Sequence, residues 1–515
     1  MGIRSSVVVA VLCLTCAACG TTVDLSRAGQ GGATGGVVAG SDGGLTQGPG
    51  AATTPTTAAG SPAGATTAAA PGASTGTGTG STGGATPAGG SATQPAAGSS
   101  PGAPSGPKSG RGFDEKNVYI GIPTSDDQQT ALAAAGVKTQ PGDWENDTRA
   151  VVKDINSHGG ILGRTVVPVF HDSHYASFLS NPSLEAQSVC TDLTQDHPVL
   201  AVANVNQFLD VIPFYSCLAH ADTPIVTSGL SFVDKQFGSD YAPYLQSVGS
   251  PDWTRFVPVF MDRLVAQNYF AGWDTLNGAP GTAPVKVGLL FQSAQPTIRV
   301  FNAIAAAMTA RGFAVETYNY APGSTQDVFT ATANAEFKFH ADGVTHVLTD
   351  TPVLFAFAQA AEQQHYRPRY ALQSIMKPAG SESNMPAAQM NGALGAGWQP
   401  TDDVDKPSAT DTEAAQCLND FKQQGLDYSA APDALGYALG FCDTLRLIAA
   451  AYNTAGGFTS AAFGSSFAKG AATFAPSVTF RVDFSSGAGG VAAARDIGFD
   501  PGCTCLVYKS APIPF

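Results

Sequence analysis

The chain has 515 residues, a formal net charge of −14 and a pI near 4.9. An acidic balance of this size argues against nucleic acid or an anionic membrane surface as the partner, because both attract clustered Lys and Arg. Only 13% of the residues are charged, and the deficit lies near the front, where residues 43–107 contain no charged side chain.

The first residues have the pattern of a targeting segment. Arg4 precedes an apolar run at 7–14, which is too short to span a bilayer, and Ala17 and Ala18 then stand directly before Cys19. Small residues before a Cys resemble a bacterial lipobox, although Cys16 occupies the position where a lipobox has Leu. We therefore predict a signal peptide at 1–18 and a lipidated Cys19, and so an extracytoplasmic protein anchored to the cell membrane. An ordinary cleaved signal with a secreted product remains the alternative.

Residues 19–112 are almost entirely Gly, Ala, Thr, Ser and Pro. Such a segment has little apolar surface to offset its ordering entropy, so we predict a disordered linker. A flexible chain of about 90 residues has a reach on the order of 50 Å. Gly78, Gly80 and Gly83 formally match a dinucleotide-binding fingerprint, but no strand precedes them and no helix follows, and no cofactor is expected.

From Asn117 onward, short apolar runs alternate with amphipathic segments. Asp143, after Pro141-Gly142, is positioned to begin a helix. Strands are predicted at 118–122, 165–170, 198–204 and 224–227, with helices around 184–193 and 211–219 between the later ones. This alternation predicts a doubly wound parallel sheet.

A second run of the same kind begins at Ser250-Pro251-Asp252, a strong helix start. Strands are predicted at 285–291, 314–320 and 344–350, and a helix around 298–308 is ended by Gly312. Two such units predict an α/β protein with two doubly wound, parallel-sheet lobes. Ligands of open α/β sheets bind at the carboxyl ends of the strands, so we expect a binding site between the lobes.

The predicted ligand-binding residues share one position, just past the end of a predicted strand. They are Ser125, Asn204, Asn206, Thr227 and Ser228 in the first unit, and Ser293, Asp350 and Thr351 in the second.

Several motifs resemble one family of receptors. They are the run 118–122, Asp154-Ile-Asn156, the stretch Gly159-Gly-Ile-Leu-Gly-Arg164, and the strand 166–170 with Asp172. Two weaker matches to the same family are the segment 433–451 and the closing Phe480-Arg-Val-Asp-Phe484 with Gly487. Together they resemble the branched-chain amino-acid-binding type of ABC-transporter solute-binding lipoprotein, which has a type I periplasmic-binding-protein fold. The resemblance covers about 117–515.

The resemblance implies a solute-binding domain at 113–515 whose two lobes are joined by a three-stranded hinge. Lobe 1 would hold about 117–249 and 374–474, and lobe 2 about 250–373 and 475–515. It also implies a monomer that is not an enzyme, binds a small solute between closing lobes and delivers it to an ABC-transporter permease. A lipoprotein that senses a ligand for a membrane signalling partner, without transport, is the open alternative.

The sequence departs from the family at the ligand site. Asn204-Val-Asn-Gln207 stands where the family places a serine, and Gln295-Pro-Thr297 stands where the family often has Tyr-Gly. By contrast, Thr227-Ser-Gly229 matches the small-residue stretch with a Thr that follows the family's fourth strand. No acid stands near Ser374 to pair with a ligand ammonium. Burying an ammonium without a counter-charge is costly, so the predicted ligand is a small polar molecule rather than an α-amino acid.

Motifs for catalysis or metal binding are weak. No Gly-x-Ser-x-Gly elbow or recognisable Cys/His pair supplies a nucleophile, and Asp126-Asp127 fits a solvated loop. His171-Asp172-x-His174 could supply metal ligands, but the sequence has no second cluster of acids or histidines to complete a metal site. Trp144 and Trp253 occur at helical spacing, which favours a place in the core.

Six cysteines follow the signal region, an even number that suits an oxidising compartment and allows fifteen pairings. Cys190 and Cys217 lie in helices that a 2-1-3-4 strand order places side by side on one face of the sheet. Cys417 and Cys442 lie in consecutive helices of one lobe, and Cys503 and Cys505 remain. We predict disulfides in these three pairs.

Overall fold

The computed structural model describes residues 107–134, 136–229, 231–350, 353–378, 382–403, 412–428, 431–471, 474–485 and 487–515. The predicted signal peptide, Cys19 and the predicted linker as far as residue 106 lie outside the described residues. Residues before 113, where the solute-binding domain is predicted to start, already take part in backbone bridges, since Gly110 pairs with Phe113 and Gly112 pairs with Val199.

The strands of the described residues are numbered in chain order. They are β1 Asn117–Thr124, β2 Thr165–Asp172, β3 Ala201–Asn204, β4 Ile225–Thr227, β5 Leu245–Pro251, β6 Trp273–Asp274, β7 Ala279–Pro280, β8 Lys286–Gln292, β9 Ala314–Tyr320, β10 His346–Thr349, β11 Arg369–Gln373, β12 Leu394–Gly397, β13 Gly489–Val491, β14 Ala493–Asp500, β15 Cys505–Tyr508 and β16 Ile513–Pro514.

The described α-helices are numbered in the same way. They are α1 Gln128–Ala134, α2 Trp144–Ser157, α3 Tyr175–Ser180, α4 Pro182–Thr191, α5 Ile212–His220, α6 Lys235–Asp240, α7 Trp253–Ala266, α8 Thr297–Ala310, α9 Thr325–Ala341, α10 Val353–Gln363, α11 Thr412–Gln423, α12 Pro432–Ala455 and α13 Ser460–Ser466.

Two sheets form the centres of two lobes. Lobe 1 contains a parallel sheet of order β13-β5-β4-β3-β1-β2. Lobe 2 contains the order β15-β14-β12-β11-β10-β8-β9, which is parallel from β12 to β9 and antiparallel where β14 joins β12. The predicted pair of doubly wound α/β lobes is therefore confirmed, with an antiparallel edge added to the second sheet.

Within the described ranges the chain crosses between the lobes three times, and two of these crossings lie later than the bounds that the resemblance implies. The first follows β5, close to the predicted residue 249. The second follows β12 rather than residue 373, because β12 extends the lobe 2 sheet beyond β11. The third follows β13 rather than residue 474, because β13 pairs with β5 of lobe 1.

Local sequence explains where the long helices begin. The Asp143 carboxylate accepts a hydrogen bond from Asn146 N at the start of α2, and Asp252 accepts one from Thr254 N at the start of α7. Trp144 and Trp253 follow these caps, and both side chains are buried as predicted. These first turns anchor one helix in the core of each lobe.

The helix α12 is the central helix of lobe 1. By length and composition it is apolar enough to cross a membrane, but 83% of its apolar window is buried inside the protein. It packs against α2, α13 and the lobe 1 sheet. We therefore interpret α12 as a core helix, and its first turns face the space between the lobes.

The structure places the six cysteines as three close pairs. The Cα atoms are 6.3 Å apart for Cys190 and Cys217, and 6.2 Å apart for Cys417 and Cys442. Cys503 and Cys505 are also joined. Oxidation of these pairs in the protein stays a prediction.

Candidate functional site

A cavity of ≈ 690 Å³ lies between the two lobes. Its wall takes residues from just beyond the carboxyl ends of strands in both sheets, as expected for open α/β sheets. Lobe 1 contributes Gln207 and Phe208 after β3 and Ser228 after β4. Lobe 2 contributes Asp350 after β10 and the segment after β11. A cavity of this size suits a small organic molecule.

Asp210 is the carboxylate that lobe 1 presents to the cavity. Its Oδ1 atom accepts hydrogen bonds from the Tyr215 hydroxyl at 2.6 Å, Asn204 Nδ2 at 3.1 Å and Thr227 Oγ1 at 3.1 Å. Burial raises the pKa of Asp210 to about 7, although these hydrogen bonds favour the ionised form. From the described residues, Oδ2 accepts one long bond, from Thr227 at 3.4 Å, so it can accept a further bond from a ligand.

Asp350 is the corresponding carboxylate of lobe 2. Its Oδ1 atom accepts from the Tyr320 hydroxyl at 2.9 Å, and Oδ2 accepts from Gln292 N at 2.6 Å. Desolvation raises the pKa of Asp350 to about 7 against the effect of these hydrogen bonds. The two lobes therefore each bring one carboxylate, oriented by a tyrosine hydroxyl, to the same cavity.

Lys377 connects the two walls. It follows β11 in a left-handed conformation with φ of 43°. Its Nζ atom lies 2.9 Å from the Tyr437 hydroxyl and 4.2 Å from the centre of the Tyr437 ring on α12. Its charge favours the ionised forms of Asp210, Asp402 and Asp433.

An acid does stand beside Ser374, contrary to the sequence-based expectation. The Ser374 hydroxyl donates to Asp402 Oδ2, and the Tyr508 hydroxyl lies 3.3 Å from the same oxygen. Burial raises the pKa of Asp402 to about 7. This acid comes from the segment that follows β12, which is distant from Ser374 in sequence but adjacent in space.

Most of the remaining wall is apolar or aromatic. Such side chains favour burial of a hydrophobic part of a ligand. They include Phe178, Leu179, Phe208, Ile212, Phe232, Val328, Phe329, Phe355 and Met376.

Two of the predicted ligand-binding residues, Ser228 and Asp350, lie in the cavity wall. Asn204 and Thr227 do not line it. Both are buried at strand ends, where their side chains bond to Asp210 beneath the surface of the wall. Their expected role in direct ligand contact is therefore replaced by a supporting role.

Ser125, Asn206 and Ser293 also lie outside the wall, because their side chains are bonded within the protein. Ser125 Oγ donates to Ser173 O, Asn206 Oδ1 accepts from Phe208 N, and Ser293 Oγ donates to Tyr320 O. Thr351 lies outside the described residues.

The residues that sequence reasoning missed are Asp210, Lys377, Asp402 and Tyr437. None directly follows a predicted strand, so the rule that selected the candidates passed over them. Asp210 carried a usable signal, since it is an acid in an otherwise uncharged loop after a predicted strand. Tyr437 carried none, because it resembles any aromatic residue of an amphipathic helix.

An ion pair joins the lobes beside the cavity. Arg299 on α8 donates from Nε to Asp234 Oδ2 at 2.6 Å and from Nη2 to Asp234 Oδ1 at 2.7 Å. Asp234 also begins α6 of lobe 1 by accepting from Phe237 N. This two-point contact holds the lobes in their present arrangement.

The carboxylates considered for catalysis have local bonding roles. Asp127 Oδ1 accepts from Tyr175 N at 2.7 Å, and the backbone N of Asp126 donates to Asp172. His171 pairs with Asp192. Within the described ranges, no cluster of three or more His, Cys, Asp or Glu residues is arranged to hold a metal ion.

Comparison with known proteins finds similarity in structure alone. No protein-family model and no curated protein matches the sequence. An ABC-transporter substrate-binding protein from Desulfitobacterium hafniense, solved with leucine, is 13% identical with a TM-score of 0.51; the match covers 76% of this chain and all of that one.

Two further solved structures match in the same way. One is a solute-binding protein of an ABC transporter from R. palustris in complex with 4-hydroxybenzoate, at 15% identity and a TM-score of 0.55, over 78% of this chain and 97% of that one. The other is a fatty acid ABC-transporter substrate-binding protein from Thermomonospora curvata, at 13% identity and a TM-score of 0.53, over 79% and 95%. The chain thus has the type I periplasmic-binding-protein fold of ABC-transporter substrate-binding proteins, as its motifs predicted.

Proposed function

We propose that this chain is an extracytoplasmic receptor that binds a small solute between its two lobes and delivers it to an ABC importer. The observation that carries the proposal is the cavity itself. It is lined by both lobes, and it contains oriented polar groups within a largely apolar wall. A solute held there contacts both lobes and favours their closed arrangement over an open one.

The proposed ligand has both a polar and an apolar part. Asp210, Asp350 and Lys377 supply ionisable polar groups, while the aromatic residues supply a hydrophobic surface. The similar structures named for leucine, 4-hydroxybenzoate and a fatty acid support this class, because each of those molecules joins a charged group to an apolar body. The sequence-based class of a small polar molecule is therefore extended to an amphipathic one.

The proposed anchor is a lipid on Cys19. The Gly/Ala/Thr/Ser/Pro-rich segment after it would then act as a tether whose reach, on the order of 50 Å, separates the receptor from the membrane surface. The ABC-transporter substrate-binding proteins with the same fold support an extracytoplasmic location.

A thermal-shift screen of the purified full-length chain tests solute binding. The panel holds amino acids, amides, ureas, polyamines, amines, aromatic acids and fatty acids. A ligand at 100 times its Kd stabilises the folded state by about 2.7 kcal/mol. For a folded part of about 400 residues, this raises the melting temperature by roughly 3 °C.

A variant that fills the cavity distinguishes binding there from binding elsewhere. A Cβ atom added at Gly436 on α12 would meet only Thr401 Oγ1, at 3.8 Å, so Gly436→Phe directs a new ring into the cavity. Gly457→Phe is the matched control, since its Cβ would meet only the Ala462 Cβ, at 3.8 Å, and Gly457 is not part of the wall. The proposal predicts that Gly436→Phe abolishes the shift and Gly457→Phe preserves it. Equal shifts in both variants would contradict it.

A further inference from the structure

The described wall of the cavity is rich in carboxyl groups. Its carboxylates are Asp210, Asp350, Asp402 and Asp433, and its cations are Lys377 and Lys138. Lys138 is exposed, and its backbone rather than its ammonium bonds to Asn384. The carboxyl groups of this wall therefore outnumber its cations by four to two, and the electrostatic potential that a bound solute meets becomes more negative as they ionise.

Two of these carboxylates have no basic partner in contact. No Lys or Arg within the described ranges forms an ion pair with Asp210 or Asp350. Their bonds come from neutral hydroxyl, amide and backbone donors instead. A buried carboxylate without a counter-charge is costly, and a cation supplied by the ligand would offset that cost.

Unused acceptors in the wall point to the same chemistry. Oε1 of Gln128 and Oε1 of Gln207 are buried and accept no hydrogen bond from the part of the chain that the structure describes. Both residues line the cavity. Because both oxygens are buried, an ammonium group, which carries up to three N–H donors, would bond first to Asp210 and would reach them only after the amide side chains turn towards the cavity.

The apolar part of the wall is compatible with a cationic ligand. Phe208 and Phe355 contribute aromatic rings from the two lobes. The face of an aromatic ring attracts organic cations while its hydrophobic surface accommodates their carbon skeleton. A strongly hydrated inorganic cation would gain little from such a surface.

We infer that the solute of this receptor is an organic ammonium compound, a protonated amine on an apolar body without a carboxylate. This inference rests on the proposed function and specifies its ligand class. The ammonium lies between Asp210 of lobe 1 and Asp350 of lobe 2, and the apolar body lies against the aromatic wall.

The test measures the Kd of twelve probes on the full-length chain by calorimetry. Three skeletons, phenylethyl, hexyl and indolylethyl, are each used as the amine, the neutral alcohol, the carboxylate and the α-amino acid. The inference predicts that for at least one skeleton the amine binds at least tenfold more tightly than its three analogues.

Asp210→Asn keeps the size of the side chain and removes its charge, and it should weaken amine binding at least tenfold. Asp240→Asn, on the exposed side of α6, is the control and should leave the Kd unchanged. If Asp210→Asn does not fold, as judged by circular dichroism, Asp350→Asn provides the same test from lobe 2.

The outcomes separate the ligand class from the receptor function. Tighter binding of an alcohol, carboxylate or amino acid than of its amine overturns the ammonium inference and leaves the proposed function intact. Failure of all twelve probes also counts against the inference, and the wider solute screen with Gly436→Phe then decides the receptor function by itself.

Discussion

Two glycines on α12 should respond to alanine in opposite directions. Gly436 and Gly440 are one helical turn apart on the side of α12 that faces the cavity wall. A Cβ at Gly436 would meet only Thr401 Oγ1 at 3.8 Å, which is ordinary contact. A Cβ at Gly440 would lie 2.4 Å from Ser228 Oγ and 3.2 Å from Val205 Cγ1, so these neighbours would have to move.

The expected magnitudes follow from helix propensity and packing. Alanine is more favourable than glycine in a helix by about 1 kcal/mol. With an unfolding entropy of about 2.1 cal/mol/K per residue over roughly 400 residues, Gly436→Ala should raise the melting temperature by about 1 °C. Overpacking costs about 1–3 kcal/mol, so Gly440→Ala should lower it by up to about 2 °C despite the propensity gain.

Replicate thermal melts of the two variants measure this difference. The double variant Gly440→Ala/Ser228→Ala removes the obstructing hydroxyl and should recover part of the lost melting temperature. If Gly440→Ala stabilised the protein as much as Gly436→Ala, α12 would not pack against Ser228 as described. The account of this wall of the cavity would then be wrong.

Four further changes test other parts of the structure. Thr227→Ala removes one of three donors to the lobe 1 carboxylate and should raise the solute Kd about fivefold, or about 1 kcal/mol, by calorimetry; an unchanged Kd would contradict the supporting role. Arg299→Met breaks the partly exposed ion pair with Asp234 and should also weaken binding by about 1 kcal/mol, while an unchanged Kd would mean that the pair does not hold the lobes. Burial raises the pKa of Asp443 to about 7, so its carboxyl group binds a proton more tightly in the folded state than in the unfolded chain. The melting temperature should therefore rise as the pH falls from 8 to 5, and Asp443→Asn should make this dependence on pH less steep. Cys19→Ser should move the protein from the membrane fraction into the medium or leave an uncleaved precursor, and normal labelling of this variant by a fatty-acid probe would exclude Cys19 as the anchor.

Much of the fold was predictable because its signals are local. Asp143 and Asp252 begin helices where their sequence context indicated, and strand β9 has the bounds predicted for it. The strand β12 was missed for a physical reason. Its sequence, Leu-Gly-Ala-Gly, has a single large apolar residue, whereas a buried strand is recognised by a run of them, so no strand was predicted there.

The site was less predictable because it depends on loop paths and on contacts between lobes. Two of the polar residues at strand ends, Ser228 and Asp350, line the cavity, but Asn204 and Thr227 reach it only through Asp210. The pairing of Lys377 with Tyr437 joins segments far apart in sequence, and no periodic pattern relates them.

Hydrogen–deuterium exchange of the full-length chain, with and without a saturating solute from the screen, tests whether the solute binds between the two lobes. A solute held between the lobes should slow amide exchange on both walls, in the segments that carry Asp210 and α12 of lobe 1 and in those that carry Asp350 and Lys377 of lobe 2. Slower exchange confined to one lobe, or to surfaces away from the cavity, would contradict the claim that this receptor binds its solute between the two lobes.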